Sequence, residues 1–296
     1  MLPTRMSGYL LAGAFCVISS ATAAADVPAG TKKYELKYKF AAGETIRTEV
    51  IHRAAVKTTI DGNSQTAETV SISVKRWDVK AVDEQGHFKI VHSVDFVDMK
   101  NDVTGRDTVS YDSRTDTNPP TDFEHIARRV GIPLTEIVMD ADGGILGREE
   151  IAPGNTTSTQ MTLPLPGKPV AIGESWNFPY EIDVPLRSGR SKQIKMRQRL
   201  QLEKVADGIA TIKVATQVLT PVDSPEIEAQ LVQRQSQGTI QFDIAQGRMI
   251  TQQIDLDRRV TGFPNATSTM RYRTRFTEKL LKDKKTITRL RTPTRR

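Results

Sequence analysis

Apolar and polar residues alternate with a period of two along most of the chain. The clearest run places Ile194, Met196, Leu200 and Leu202 on one face, with mostly charged residues on the other. This pattern is typical of a β-strand with one buried face. Comparable runs lie at residues 34–40, 45–60, 70–81, 88–96, 109–111, 132–139, 145–150, 240–244, 250–260 and 270–280. Several exceed the usual strand length of about five or six residues.

Two details of register follow from the same pattern. The apolar residues occupy even positions up to Val74 and odd positions from Trp77, which predicts a β-bulge in this strand between the two. In the second half, the requirement that apolar residues share a face pairs Leu202 with Ile212. That register predicts a three-residue loop at 206–208.

Two short segments break the alternation and favour helices. Residues 123–130 carry apolar side chains at helical spacing, and Ser224-Pro225 has the chemistry of a helix start. The predicted fold is therefore all-β with two short helices. Its long antiparallel strands are expected to form a curved sheet or half-barrel.

A short phrase occurs twice, as Gly43-Glu44-Thr45-Ile46 and as Gly173-Glu174-Ser175-Trp176. Two further pairs of similar segments follow in the same order, at 80–86 and 204–208 and at 109–112 and 240–243. The three offsets, 130, 124 and 131 residues, predict an internal duplication.

The predicted organisation has five parts. They are a signal peptide at 1–25, a first β repeat at 26–152, a Pro/Gly-rich linker at 153–169, a second β repeat at 170–281 and a basic tail at 282–296. The pattern leaves open whether the repeats join in one continuous sheet or form two domains.

The first residues have the three parts of a secretory signal. Arg5 precedes an apolar run from Gly8 to Ser19, and small residues end at Ala23–Ala25, near which cleavage is expected. The run is too short for a bilayer, which needs about 20 apolar residues. Cys16 is the only cysteine, so the mature chain would hold no disulfide. A secreted or periplasmic protein is predicted.

The excess positive charge lies at the two ends of the chain. The net charge is +7, of which Arg5 supplies +1 and residues 279–296, with eight basic residues and Asp283, supply +7, which leaves −1 for the rest. Such a tail is either a solvated end or a tether to anionic lipids or envelope polymers. The tether residues would be Lys282, Lys284, Lys285, Arg289, Arg291, Arg295 and Arg296.

Few residues offer catalytic or metal-binding chemistry. Asp140–Gly144 begins like a calcium loop, but Ile151 stands where the closing glutamate belongs, which favours a hairpin turn. The histidines show no zinc-ligand spacing, and Gly173–Asn177 lacks the second glycine of a nucleophile elbow. The sequence predicts no catalytic residue, no metal and no cofactor.

Aromatic residues are the candidates for contact with an apolar ligand. Trp77, Trp176 and Phe242 would line a concavity of the sheet, although a core anchor at the start of a strand is the favoured interpretation of Trp176. A nucleic-acid site is not expected, because Arg275 and Arg273 fall opposite Asp255 and Asp257 across a predicted hairpin and would form a solvated, salt-paired face.

A strand such as Tyr34–Phe40 followed by Gly43-Glu44, and later Val170–Trp176, resembles secreted bacterial envelope families of unknown function. The resemblance covers nearly the whole mature chain and implies no catalytic residue. The expected architecture is also similar to periplasmic lipoprotein carriers and lipid-binding half-barrels.

The predicted function is a non-catalytic envelope protein that binds an apolar ligand or a lipidated partner in the concavity of its sheet. A structural or adaptor protein that uses its faces and basic tail is the alternative. A hydrolase without a recognisable motif is the least favoured reading.

Overall fold

The computed structural model describes residues 32–152, 162–186, 189–222, 224–263 and 265–282. The predicted signal peptide, most of the predicted linker and the tail beyond Lys282 lie outside the described residues.

The described chain is built almost entirely from antiparallel strands. These are β1 (Lys33–Tyr34), β2 (Thr45–Ile60), β3 (Asn63–Val82), β4 (Phe88–Val103), β5 (Val109–Asp112), β6 (Pro133–Met139), β7 (Ile145–Glu150), β8 (Val170–Ala171), β9 (Ser175–Pro185), β10 (Ser191–Ala206), β11 (Ile209–Val218), β12 (Gln237–Asp243), β13 (Arg248–Thr261) and β14 (Thr269–Leu280). The helices are α1 (Glu124–Ala127), after a 3-10 turn at Thr121–Phe123, and α2 (Pro225–Leu231), before a 3-10 turn at Val232–Arg234. The predicted all-β class with two short helices is confirmed.

Both halves of the chain join in one sheet. Its strand order is β7-β6-β4-β3-β2-β14-β13-β12-β11-β10-β9, with β5 paired to β4, and the sheet is curved but not closed. The junction is the pairing of β14 with β2, which runs from Thr269 opposite Thr59 to Leu280 opposite Thr48. A separate two-stranded pairing of β1 with β8 also links the halves.

In the second half the predicted strand register is correct, but the predicted loop length is wrong. Leu202 pairs with Ile212, as predicted. The connection is a two-residue turn at Asp207-Gly208, both with positive φ, instead of the predicted three-residue loop. A β-bulge between Leu202 and Lys204 restores the facing of the apolar residues. Asp-Gly favours the tight turn because both residues tolerate the left-handed conformation.

The irregularity predicted near Val74 exists, but the extra residue belongs to the neighbouring strand. Val74 pairs with Phe96 and Lys75 with Val94, so Asp95 of β4 is the unpaired residue. Strand β3 pairs with β2 without interruption through this point, so its apolar residues change face within a regular strand. The prediction of a bulge in β3 itself is therefore wrong here.

The predicted strand at Tyr34–Phe40 is also mostly wrong. Only Lys33–Tyr34 forms ladder pairs, and residues 35–40, here called the crossing segment, run between two hairpin loops. The Tyr38 backbone N–H donates to Ala141 O at 2.7 Å, and the Lys39 N–H donates to Gly247 O at 3.0 Å. The alternation reflects the buried face of this segment and does not reflect membership of a sheet.

The two Gly-Glu phrases form turns with the same hydrogen bonds. In each, the glycine N–H donates to the carbonyl of a residue on the second strand after the turn, β3 or β10, and the N–H of that same residue donates back to the glutamate carbonyl. In each, the glutamate carboxylate accepts from the backbone N–H three residues earlier. The partners are Val79 and Ala41 in the first turn and Leu202 and Ala171 in the second. The duplication of the whole halves stays a prediction.

Candidate ligand-binding cavity

A cavity of about 420 Å³ lies between the sheet and the crossing segment. Its wall draws on eight neighbouring strands, from β4 through the β2/β14 junction to β10. Most of the wall is apolar or aromatic and includes Ile46, Val214, Ile240, Met249, Ile254 and Phe276. We call the face of the sheet that carries these residues the inner face. The volume lies within the range of about 300–1,000 Å³ that is usual for small-molecule sites.

The crossing segment covers the cavity with two aromatic side chains. Tyr38 and Phe40 both line it, with ring centroids 5.5 Å apart. The Tyr38 hydroxyl accepts a hydrogen bond from the buried Leu163 N–H at 3.0 Å. This bond holds a second segment, at Thr162 and Leu163, against the cavity. Arg248 lies over the Phe40 ring and forms an ion pair with Glu44. The cover is therefore attached to both halves of the protein.

Replacing Gly247 with alanine should loosen this cover. A Cβ at Gly247 would lie 2.5 Å from Lys39 Cγ and 2.6 Å from the Lys39 backbone N, and φ is +60°. We expect the free energy of unfolding in urea to fall by about 1–3 kcal/mol, because the crossing segment must move. Gly62→Ala is the matched control, since its φ is +82° but a Cβ there meets nothing within 4 Å. Equal losses in the two variants would show that only backbone strain matters.

A buried carboxylate forms the polar end of the cavity. Glu278 is 2% exposed and accepts hydrogen bonds from Thr48 Oγ1 at 2.6 Å and Gln252 Nε2 at 2.8 Å. Lys75 Nζ lies 2.7 Å from its Oε1. Burial alone would raise the pKa of Glu278, but the Lys75 charge and these donors outweigh it and hold the pKa below its usual value. The carboxylate is therefore ionised and fully satisfied.

Next to this group lie three buried polar atoms that have no partner among the described residues. They are Nδ1 and Nε2 of His92 and Nε1 of Trp77. The two residues face each other on β4 and β3, and both line the cavity. Burial lowers the pKa of His92 to about 4, and the nearby Lys75 charge acts in the same direction. The imidazole is therefore neutral at pH 7 and offers one donor and one acceptor.

The structure places only one of the three predicted ligand-binding aromatics in the cavity wall. Trp77 lines it, whereas Trp176 and Phe242 are absent from its lining and pack in the main core. Trp176 Nε1 donates to Pro164 O at 2.9 Å, and Phe242 packs edge-on against Tyr38 with ring centroids 5.6 Å apart. Their role as ligand contacts stays a prediction.

Of the predicted tether residues, Lys282 is exposed at the end of the described chain. The other six lie outside the described residues.

Sequence reasoning missed the polar cluster. The usable signal is Glu278, which stands at an inward position of β14 between Phe276 and Leu280. A charged residue within an apolar face indicates a buried partner.

The described residues carry neither a cluster suited to a metal ion nor a helix suited to cross a membrane. No group of His, Cys, Asp or Glu in the described part of the chain is arranged to hold a metal ion. Asp140–Gly144 forms the predicted hairpin turn, in which Asp140 Oδ1 accepts from the N–H groups of Asp142 and Gly144. Neither described helix has the length and apolar character needed to cross a membrane.

Comparisons with known proteins give a family match and a distant structural likeness. A solved structure described as lipid–protein interactions in lipovitellin has 12% sequence identity and a TM-score of 0.46, and the aligned region covers 82% of this chain and 25% of that chain. The chain therefore spans about a quarter of the length of that relative. A comparison with curated proteins gave no match. Residues 155–255 match a family described as "Family of unknown function (DUF6263)", in agreement with the expected resemblance to families of unknown function.

Proposed function

We propose that this protein binds an apolar molecule, or the acyl chain of a lipidated partner, in the cavity beneath the crossing segment. The observation that carries the proposal is a covered space of about 420 Å³ with a mostly apolar wall and a polar cluster at one end. Small-molecule sites have this combination of apolar walls and few convergent polar groups.

The size of the cavity argues against a packing defect. Protein interiors contain few voids larger than a water molecule. A space of about 420 Å³ is many times the volume of one water molecule and is partly open to solvent, so it is filled by water or by a ligand. An apolar occupant would remove water from the apolar part of the wall.

The predicted secretory signal would place this binding activity in the cell envelope. There a non-catalytic protein would hold or transfer a lipid, and the basic tail would attract it weakly to anionic surfaces, an attraction that salt reduces. Deletion of residues 282–296 tests the tail alone. Unchanged binding to anionic vesicles would remove the tether from the proposal.

Tryptophan fluorescence can test the cavity directly, because one of the two tryptophans lines it. In a Trp176→Phe variant, the remaining Trp77 should transfer energy to the uncharged apolar dye N-phenylnaphthylamine in a saturable way, with one dye bound per chain. Transfer from Trp176 is also expected in the Trp77→Phe variant, because Trp176 lies two strands from the lining residue Val214, so the binding ratio is measured by direct excitation of the dye.

Native mass spectrometry of the protein purified from its own source would identify a ligand that is bound in the cell. A co-purifying apolar molecule that is released on denaturation would support the proposal. A ligand-free mass together with absent dye binding would overturn it and favour a structural or adaptor role.

A further inference from the structure

We infer that the bound molecule has an uncharged head group with a hydroxyl or carbonyl oxygen, which Trp77 and His92 hold at the polar end of the cavity. The inference deepens the proposed function and depends on it. It specifies the chemical class of the ligand: a long-chain alcohol or ester and not a free long-chain carboxylate.

The unpartnered atoms define what the head group must supply. Trp77 Nε1 offers one N–H, and neutral His92 offers one N–H and one lone pair. His92 is 4% exposed, so leaving these atoms unpaired costs free energy. Trp77 and His92 are directly opposite on adjacent strands, where Cβ atoms are about 5 Å apart. One ligand oxygen can therefore accept from Trp77 Nε1 and exchange one hydrogen bond with a single imidazole nitrogen, once a rotation of the rings brings these nitrogens, which have almost no exposed surface in this structure, to the cavity wall.

The charges of the cavity argue for a neutral head group. Its two cationic lining residues already have anionic partners: Lys75 pairs with Glu278, and Arg248 pairs with Glu44. A carboxylate or phosphate at the same place would lie near the Glu278 carboxylate with no cation left to balance it. Burying such a charge is unfavourable unless a partner is present.

Lys75 is also a poor candidate to change partners. If it turned to an anionic ligand, Glu278 would keep only the neutral donors Thr48 and Gln252 while its side chain stays 2% exposed. Removing one partner from a buried ion pair leaves an uncompensated buried charge. The cluster therefore opposes a second anion at this place.

Competition against N-phenylnaphthylamine tests the head group at constant chain length. Hexadecanol and methyl hexadecanoate should displace the dye at concentrations about tenfold or more below that of hexadecanoate at pH 8, after correction for micelle formation. Equal or tighter binding of hexadecanoate would overturn the inference and leave the cavity proposal standing. If none of the three displaces a bound dye, the inference fails; if the dye does not bind, the proposed function fails first.

Two aromatic variants test the contact itself. Trp77→Phe keeps an aromatic ring but removes the N–H, so hexadecanol affinity should fall about fivefold, as for the loss of one hydrogen bond. Tyr111→Phe removes a polar hydrogen in a separate apolar cluster, outside the cavity lining, and should leave the affinity unchanged. His92→Leu should reduce the preference for hexadecanol over hexadecanoate, with thermal unfolding measured to confirm folding. Unchanged affinities in both cavity variants would show that the unpaired atoms do not contact the ligand.

Discussion

Replacing Glu278 with methionine is expected to lower the free energy of unfolding by about 3–5 kcal/mol. The substitution leaves the Lys75 ammonium without its anion and removes the acceptor of Thr48 and Gln252. Lys75 keeps 22% of its side-chain surface exposed, so water offsets part of the loss and the lower end of the range is expected. Urea denaturation at neutral pH, with the slope of the transition compared between variants, measures the effect.

A double-mutant cycle separates the ion pair from simple packing. The double variant Lys75→Met, Glu278→Met holds no unpaired charge and should be more stable than Glu278→Met alone. Arg271→Met is a suitable control, because this residue pairs with Asp257 on the exposed face and should cost no more than about 1 kcal/mol. If the effects of Lys75→Met and Glu278→Met add without coupling, the two side chains do not act as a pair.

The sequence pattern predicts which face a residue occupies better than which strand it meets. Phe276 pairs with Ile254 and Arg275 with Asp255, as the alternation predicts for neighbouring strands. The alternation of residues 35–40 is equally regular, yet this segment crosses the sheet without joining it. Facing depends on local periodicity, whereas strand pairing also depends on where the backbone finds partners.

Contacts between distant strands leave the weakest signal in the sequence. The β2/β14 junction joins residues more than 200 positions apart, such as Thr48 and Glu278, which are separated by 230 positions in the sequence. No turn connects these strands, so no loop length constrains their register. Lys75 completes the cluster from a third strand. The inward position of Glu278 could therefore be predicted from the sequence, but its partners could not.

The side-chain partners of exposed ion pairs are also only partly predictable from the sequence. Arg273 lies opposite Asp257 in the ladder, as predicted, yet the carboxylate of Asp257 bonds to Arg271 instead. Register fixes the backbone neighbours, whereas long side chains choose among diagonal partners. This freedom is small inside the cavity, where burial makes each pairing costly to exchange.

The cavity-filling substitution Ile46→Trp should abolish most ligand binding while it preserves the fold. Ile46 lines the cavity opposite Trp77, and its counterpart in the second Gly-Glu phrase is Trp176, so a tryptophan already follows an equivalent turn in this protein. The larger side chain would occupy space that the ligand needs. We expect at least a tenfold loss of N-phenylnaphthylamine affinity, equivalent to about 1.4 kcal/mol, measured by direct excitation of the dye.

Lys57→Trp provides the control for this loss, because the residue is exposed on the same strand and lies on the opposite face. That variant should bind the dye like the parent protein. The added volume enters existing space, so little loss of stability is expected, and a folded sample can be verified by its urea transition. A folded Ile46→Trp protein with unchanged dye affinity would place the ligand outside this cavity. Loss of binding confined to that variant would assign the apolar ligand to the space between the inner face and the crossing segment.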